Sequence, residues 1–163
     1  MKIVYPDNEL TNLKIELKQR PVFRIFLAGT IDNGNSVDWQ KELIDMCEKN
    51  DNELSKYLNI FNPRRTQWNK NAGKEELENQ IRWEQDHLDE ADLIVMVLSD
   101  NSKSPISLLE LGLYAESGKL IVFCTDKFYR FDNVRLTCEK YFIPLVRSTK
   151  TKDIYDNIKA IIG

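Results

Sequence analysis

Apolar positions along the chain fall into two alternating kinds of pattern. Short, nearly unbroken runs occur at residues 23–28 (FRIFLA), 57–61 (YLNIF), 93–98 (LIVMVL) and 120–124 (LIVFC), with a shorter one at 143–146. Runs of this kind, bounded by polar residues, suit strands covered on both faces, and 93–98 reads as the central one. Between them, apolar residues recur at helical spacing. Val37, Leu43, Ile44 and Cys47 mark one helix, entered through Ser36 as cap, favoured by Asp38 in its first turn and running to about Lys49. Leu77, Ile81, Glu84 or Gln85, and Leu88 share one face of a charged helix over 75–89. Ser104-Pro105 is a helix entry and Gly118 a stop. Further helices are expected over 132–141 and over 151–162, the last with Ile154, Ile158, Ile161 and Ile162 inward.

This alternation predicts right-handed crossovers and an α/β sandwich, a five-stranded parallel sheet between two helix layers with strand order 2-1-3-4-5. The ligand crevice of such a sheet lies beyond the carboxyl ends of its strands, near the switch between the first and third. The whole of 1–163 reads as a single domain. Its first 20 residues fit either a peripheral hairpin, from 3–5 and 13–17, or a packed arm.

Composition narrows the chemistry. A hydrophobic content of 42% in 163 residues supports one sizeable core. The net charge of −3 comes from interspersed charges, which argues against a polymeric nucleic acid or membrane surface as partner. No apolar run approaches the roughly 18 residues of a membrane helix. Cys47, Cys124 and Cys138 are odd in number and lack CxxC spacing, so they read as reduced thiols of a cytoplasmic protein. With His87 as the single histidine, a His-rich metal site or a histidine-based triad has little material. No metal or cofactor is expected, and any chemistry should rest on carboxylates.

Three segments should meet at the crevice: Gly29 to Gly34, Asn62-Pro63-Arg64-Arg65, and Ser99 to Ser104. The last leads into Ser104-Pro105-Ile106-Ser107-Leu108-Leu109-Glu110-Leu111-Gly112, where Glu110 interrupts an apolar helix. Taken alone, Glu110 fits a solvated flank. Against that stand the nearby hydroxyls of Ser104 and Ser107, the space left by Gly112, and the positive potential of the helix start. Glu84 is the second candidate. Asp86, Asp89 and Glu90 read as an ordinary charged face, Asp92 as a polar strand entrance, and His87 as structural or solvated. Gly29, Thr30 and Gly34 could cradle a phosphate or sugar, although the spacing of a Walker loop or dinucleotide fingerprint is missing. Arg64 and Arg65 could bind a phosphate or lie on the surface; Trp39, Trp68 and Trp83 could stack on a base or pack in the interior.

The chain resembles the nucleoside 2-deoxyribosyltransferase superfamily, in its deoxyribosyltransferase-like branch. The resemblance rests on Phe26-Leu27-Ala28-Gly29-Thr30-Ile31, Phe61-Asn62-Pro63-Arg64-Arg65, Gln80-Ile81-Arg82-Trp83-Glu84, Ala91-Asp92-Leu93-Ile94-Val95, the segment ending Glu110-Leu111-Gly112, and Arg130-Phe131-Asp132-Asn133-Val134. It implies a flavodoxin-like fold and a retaining double displacement in which Glu110 attacks the sugar C1′. Glu84 stands where the family places an acid, usually aspartate, that helps protonate the departing base. Ser104 stands where transferases often carry aspartate and where the related deoxynucleoside monophosphate N-glycosidases carry a serine that contacts the 5′-phosphate. Asn133 resembles a residue that reaches a neighbouring subunit's site, which implies at least a dimer. The resulting expectation is base exchange on 2′-deoxynucleosides. Hydrolysis of deoxynucleoside monophosphates, NAD cleavage and a non-catalytic nucleotide-binding module are the alternatives. A receiver-type signalling domain fits less well, since Ala28-Gly29-Thr30 replaces its acidic cluster after the first strand.

Overall fold

The computed structural model describes residues 1–7, 22–50, 55–67, 69 and 71–163, with Asn33 described by its backbone only. Six strands, β1 (Lys2–Val4), β2 (Phe23–Gly29), β3 (Leu58–Phe61), β4 (Leu93–Leu98), β5 (Leu120–Cys124) and β6 (Leu145–Val146), form one sheet in the order β1-β3-β2-β4-β5-β6. Every pairing is parallel. The five expected strands keep their expected order, and the sheet gains a sixth. Residues 2–4 add to the free edge of β3, with Lys2 opposite Asn59, Ile3 opposite Ile60 and Val4 opposite Phe61. So the segment around Ile3 is a parallel strand and not half of a hairpin; residues 13–17 lie outside the described residues. Without β1, the wholly buried β3 would present an unpaired edge.

Five helices cover the faces: α1 (Trp39–Asn50), α2 (Lys74–Glu90), α3 (Pro105–Tyr114), α4 (Phe131–Lys140) and α5 (Thr151–Ile162). Alternate strand residues point to opposite faces. Ile25, Leu27, Ile60, Val95, Val97 and Phe123 pack with Leu43, Cys47, Ile154 and Ile158 of α1 and α5. Phe26, Ala28, Phe61, Met96 and Val122 pack with Leu88, Leu111, Phe131 and Val134 of α2, α3 and α4. The result is the expected three-layer, flavodoxin-like arrangement. All six residues of β4 are buried, as its unbroken apolar run predicts for the strand at the sheet's centre.

Several boundaries differ from the sequence expectation for local reasons. Asp38, not Ser36, caps α1: its Oδ1 accepts the Lys41 N–H at 2.9 Å, while the Ser36 hydroxyl turns back to the Ile31 carbonyl at 2.8 Å. Val37 therefore precedes the helix and is 72% exposed. On α2, Leu77 and Ile81 are exposed, and the inward residues are His87 and Leu88 with Trp83 and Glu84 partly covered. α3 ends at Tyr114, four residues before Gly118, and Ser117 N–H closes the turn on the Tyr114 carbonyl. At the amino end of the sheet Arg24 grips Asp92 through its backbone N–H and guanidinium, at 2.8–3.1 Å. This matches the structural part expected of Asp92.

Candidate active site

Helices that follow parallel strands run back antiparallel to them, so their N-termini and the carboxyl ends of the strands share one edge. Near the opposite end of α2 and α3, Tyr114 donates to Asp89 at 2.5 Å, which sets the two helices side by side. About one turn nearer that shared edge stand Glu84 on α2 and Glu110 on α3. Glu110 is 8% exposed despite its charge-bearing group. Burial and, next, the charge of Glu84 push its carboxyl up to about 8, with no hydrogen bond offsetting them. Glu84 is also raised by burial, partly offset by a 2.6 Å hydrogen bond from Gln80 Nε2. Two carboxyls in electrostatic contact behave as one titrating unit, so the pair keeps a proton well above ordinary carboxylate pH.

The loops around the pair are tied by long-range hydrogen bonds. Gly29 ends β2 at φ +122°, where a Cβ would lie 2.1 Å from the Val97 carbonyl oxygen. Thr30 follows, its N–H on the Val97 carbonyl at 2.9 Å and its own carbonyl held by Trp39 Nε1 at 3.1 Å. A chain of hydroxyls joins this loop to the entry of α3. Ser102 Oγ donates to Asp32 Oδ1 at 2.8 Å, so at the 2.9 Å contact with Ser104 the proton comes from Ser104. Ser104 has only one proton, hence Thr30 donates at their 2.7 Å contact while accepting the Ser99 N–H at 3.0 Å. Ser104 thus occupies the cap position at φ +44° without capping α3. Its hydroxyl belongs to the buried chain.

Arg64 is also committed. Its guanidinium reaches the carbonyls of Gly34 (3.0 Å), Ser36 (2.8 Å) and Val37 (3.4 Å), the Ser36 hydroxyl (3.3 Å) and Asp38 (3.3 Å). It is a clamp on the loop before α1, neither a surface residue nor an open phosphate ligand. Ile31 lies in the same loop, its carbonyl accepting Gly34 N–H. Arg65 pairs with Glu76 at 2.9 Å and keeps a buried Nε without a partner. Asn62 is buried, its Oδ1 on the Arg64 N–H at 3.0 Å, and the Pro63 carbonyl accepts Gln80 Nε2 at 3.1 Å.

Of the tryptophans, Trp39 is core, Trp68 lies outside the described residues, and Trp83 stacks on His87 with ring centroids 4.1 Å apart. His87 is buried against Phe61 as well, a structural position. Asn133 is set apart, on the wall of a cavity of about 320 Å³ between α3 and α4 that Leu108, Gly112 and Arg130 also line. A second cavity, of about 360 Å³, is bordered by Tyr5, Asp38, Asn62, Arg64 and Arg65. Neither has Glu84 or Glu110 in its walls. Sequence reasoning placed Asp32 and Ser102 in the crevice segments and Gln80 in a family motif, but gave none of the three a part of its own. Gln80 carried a usable signal, since it stands one helical turn before Glu84.

The parallel sheet, its switch point and the helices on both faces define a doubly wound α/β protein, with the Glu84–Glu110 carboxyls facing each other electrostatically between α2 and α3. The chain belongs to the family described as nucleoside 2-deoxyribosyltransferase like, whose model matches residues 22–128. Among solved structures it is similar to a conserved protein from Enterococcus faecalis V583, with a TM-score of 0.61 and 15% identity over 86% of this chain and 99% of that one. That likeness is one of fold. No curated protein matches the chain. Among the described residues, no helix is long and apolar enough to cross a membrane, and the three cysteines are buried and form no disulfide.

Proposed function

We propose that the protein cleaves the N-glycosidic bond of a 2′-deoxynucleoside and passes the sugar to another base through a glycosyl–Glu110 intermediate. The observation that carries this reading is the pair of buried Glu110 and partly buried Glu84, holding its proton to about pH 8. The reactive form is the one in which the single proton shared by the pair sits on Glu84: a Glu110 carboxylate oxygen bonds to C1′ as the C1′–N bond breaks, and the bonding electrons leave on the base, which takes that proton from Glu84. An incoming base reverses these steps and frees Glu110. A retaining displacement calls for two carboxyls roughly 5 Å apart; what supports it in this chain is that the charge of Glu84 acts on Glu110. Positioned acid catalysis contributes about 10²- to 10⁴-fold.

A nucleoside is favoured over its monophosphate because most of the groups that could hold a phosphate are already engaged. Arg64 is spent on the 34–38 loop, the Ser104 proton on Ser102, and Asp32 adds a carboxylate at the same loop. Arg65 Nε is the group that supports the monophosphate hydrolase as second reading. An oligomer belongs to the same proposal: Ile106, Leu109 and Leu113 form an exposed apolar stripe on α3, the helix that shares the Asn133 cavity. A single-copy mass in sedimentation would sink that part.

The experiment is incubation with a deoxynucleoside or its monophosphate, with and without an acceptor base, followed by chromatography and repeated with Glu110→Ala. Base exchange abolished in the variant is expected, whereas free sugar or sugar phosphate alone would mean a hydrolase. Absence of turnover on every substrate, NAD included, would leave the non-catalytic module. Since the pair must hold one proton, kcat/KM should be bell-shaped in pH, rising above the usual glutamate range and falling near 8.

A further inference from the structure

The amide of Gln80 touches two groups, and one of them fixes its orientation. The Pro63 carbonyl can only accept a hydrogen bond, so the Gln80 nitrogen and not its oxygen must face it, at 3.1 Å. The second proton of the same NH₂ group then points at Glu84 Oε1, 2.6 Å away. Pro63 sits in the loop after β3 and Gln80 on α2, 17 residues later, so the arrangement depends on the loop and helix meeting at the site. Gln80 Oε1 is left buried with no partner. A buried carbonyl without a donor is disfavoured, and this orientation leaves it so while both amide protons are used.

We infer that Gln80 is the positioning residue of the acid step: its amide, oriented by the Pro63 carbonyl, keeps Glu84 Oε1 as a hydrogen-bond acceptor and so confines the acid proton to Oε2. This rests on the glycosyl-transfer reading above and adds which oxygen acts. A carboxyl that could carry its proton on either oxygen would offer the departing base the wrong one part of the time. With Oε1 occupied, a single geometry serves both directions. Oε2–H gives its proton to the base as the C1′–N electron pair leaves with it, and the Oε2 of the carboxylate takes a proton back from the incoming base.

Gln80→Met removes both amide protons and keeps the side-chain length, and Gln80→Glu sets a second acceptor against Pro63 and Glu84. Melting curves first establish which variants fold, and the folded ones are assayed on a deoxynucleoside and on a deoxyriboside with a nitrophenol leaving group, which departs without protonation. On the nucleoside, kcat should fall roughly 10- to 100-fold with KM within about threefold. Losing a hydrogen bond that favours the Glu84 carboxylate should also move the alkaline limb of the kcat profile to higher pH. On the nitrophenyl substrate the loss should shrink to less than about threefold. Equal losses on both substrates with an unmoved limb would overturn the inference and make Gln80 a packing residue. Wild-type protein that turns over neither substrate would overturn the enzyme reading, and this inference with it.

Discussion

Glu110→Gln is expected to give a protein that is inactive and, at alkaline pH, more stable than the parent. The sign follows from where the proton sits. In the folded protein Glu110 holds its proton up to about 8, whereas in the unfolded chain it releases it near the ordinary 4.5. Below that ordinary value both states are protonated and burial carries no charge penalty. Between the two values the folded state binds the extra proton, so stability falls as pH rises, and above about 8 the whole penalty of a buried carboxylate beside Glu84 is present. Glutamine keeps the shape and removes the charge. At pH 9 the variant should gain up to about 5 kcal/mol, or up to about 10–20 °C in Tm for a domain of this size. At pH 4 the two proteins should melt together. Turnover should fall by about 10⁴-fold or more, since no carboxylate remains to take the sugar. Melts at both pH values, run beside the base-exchange assay, check this; a gain of the same size at pH 4 would mean that Glu110 is not the group whose charge is buried.

Gly29→Ala is expected to be the most damaging single substitution of a small residue. A Cβ there would lie 2.1 Å from the Val97 carbonyl oxygen and 2.7 Å from the Val97 nitrogen, at φ +122°, a conformation that L residues rarely adopt. Neither neighbour can move, because Val97 is part of β4, the fully buried centre of the sheet, and Gly29 pairs directly with it. Relief would have to come from parting β2 and β4, which also hold Thr30 in place. A loss of at least about 4 kcal/mol is expected, seen as insoluble protein or a Tm lowered by more than about 8 °C. Gly112→Ala is the contrast. A Cβ there meets nothing within 4 Å, and as a helical position it should gain up to about 1 kcal/mol. Equal behaviour of the two variants would refute the steric account of Gly29.

The likeness to nucleoside deoxyribosyltransferases gave Glu84 and Glu110 their parts before any geometry was known, while residue patterning alone left Glu110 open as a solvated flank. The tertiary structure supplied the physical content. Burial on α3 and the nearby charge of Glu84 raise its proton affinity, and neither can be computed from the neighbours of Glu110 in sequence. Ser104 was expected to decide whether the sugar passes to a base or to water. The structure adds where its proton goes: into a chain that ends on Asp32, a contact made across the sheet edge.

By itself, the sequence determined the repeating strand and helix pattern, the order of five strands and the edge at which chemistry could occur. Those follow from the spacing and burial of apolar residues, a property written locally along the chain. It did not reveal β1, whose three residues are too short a pattern and become a strand only against the free edge of β3. Nor did it show that Leu77 and Ile81 face outward or that Arg64 is a clamp. Which way an α2 residue faces depends on how the helix lies on the sheet. Where a polar proton goes depends on partners brought close by folding: 74 residues separate Thr30 from Ser104, and 28 separate Arg64 from Ser36. Only the folded structure decides such pairings, because burial removes the water that would otherwise satisfy each group.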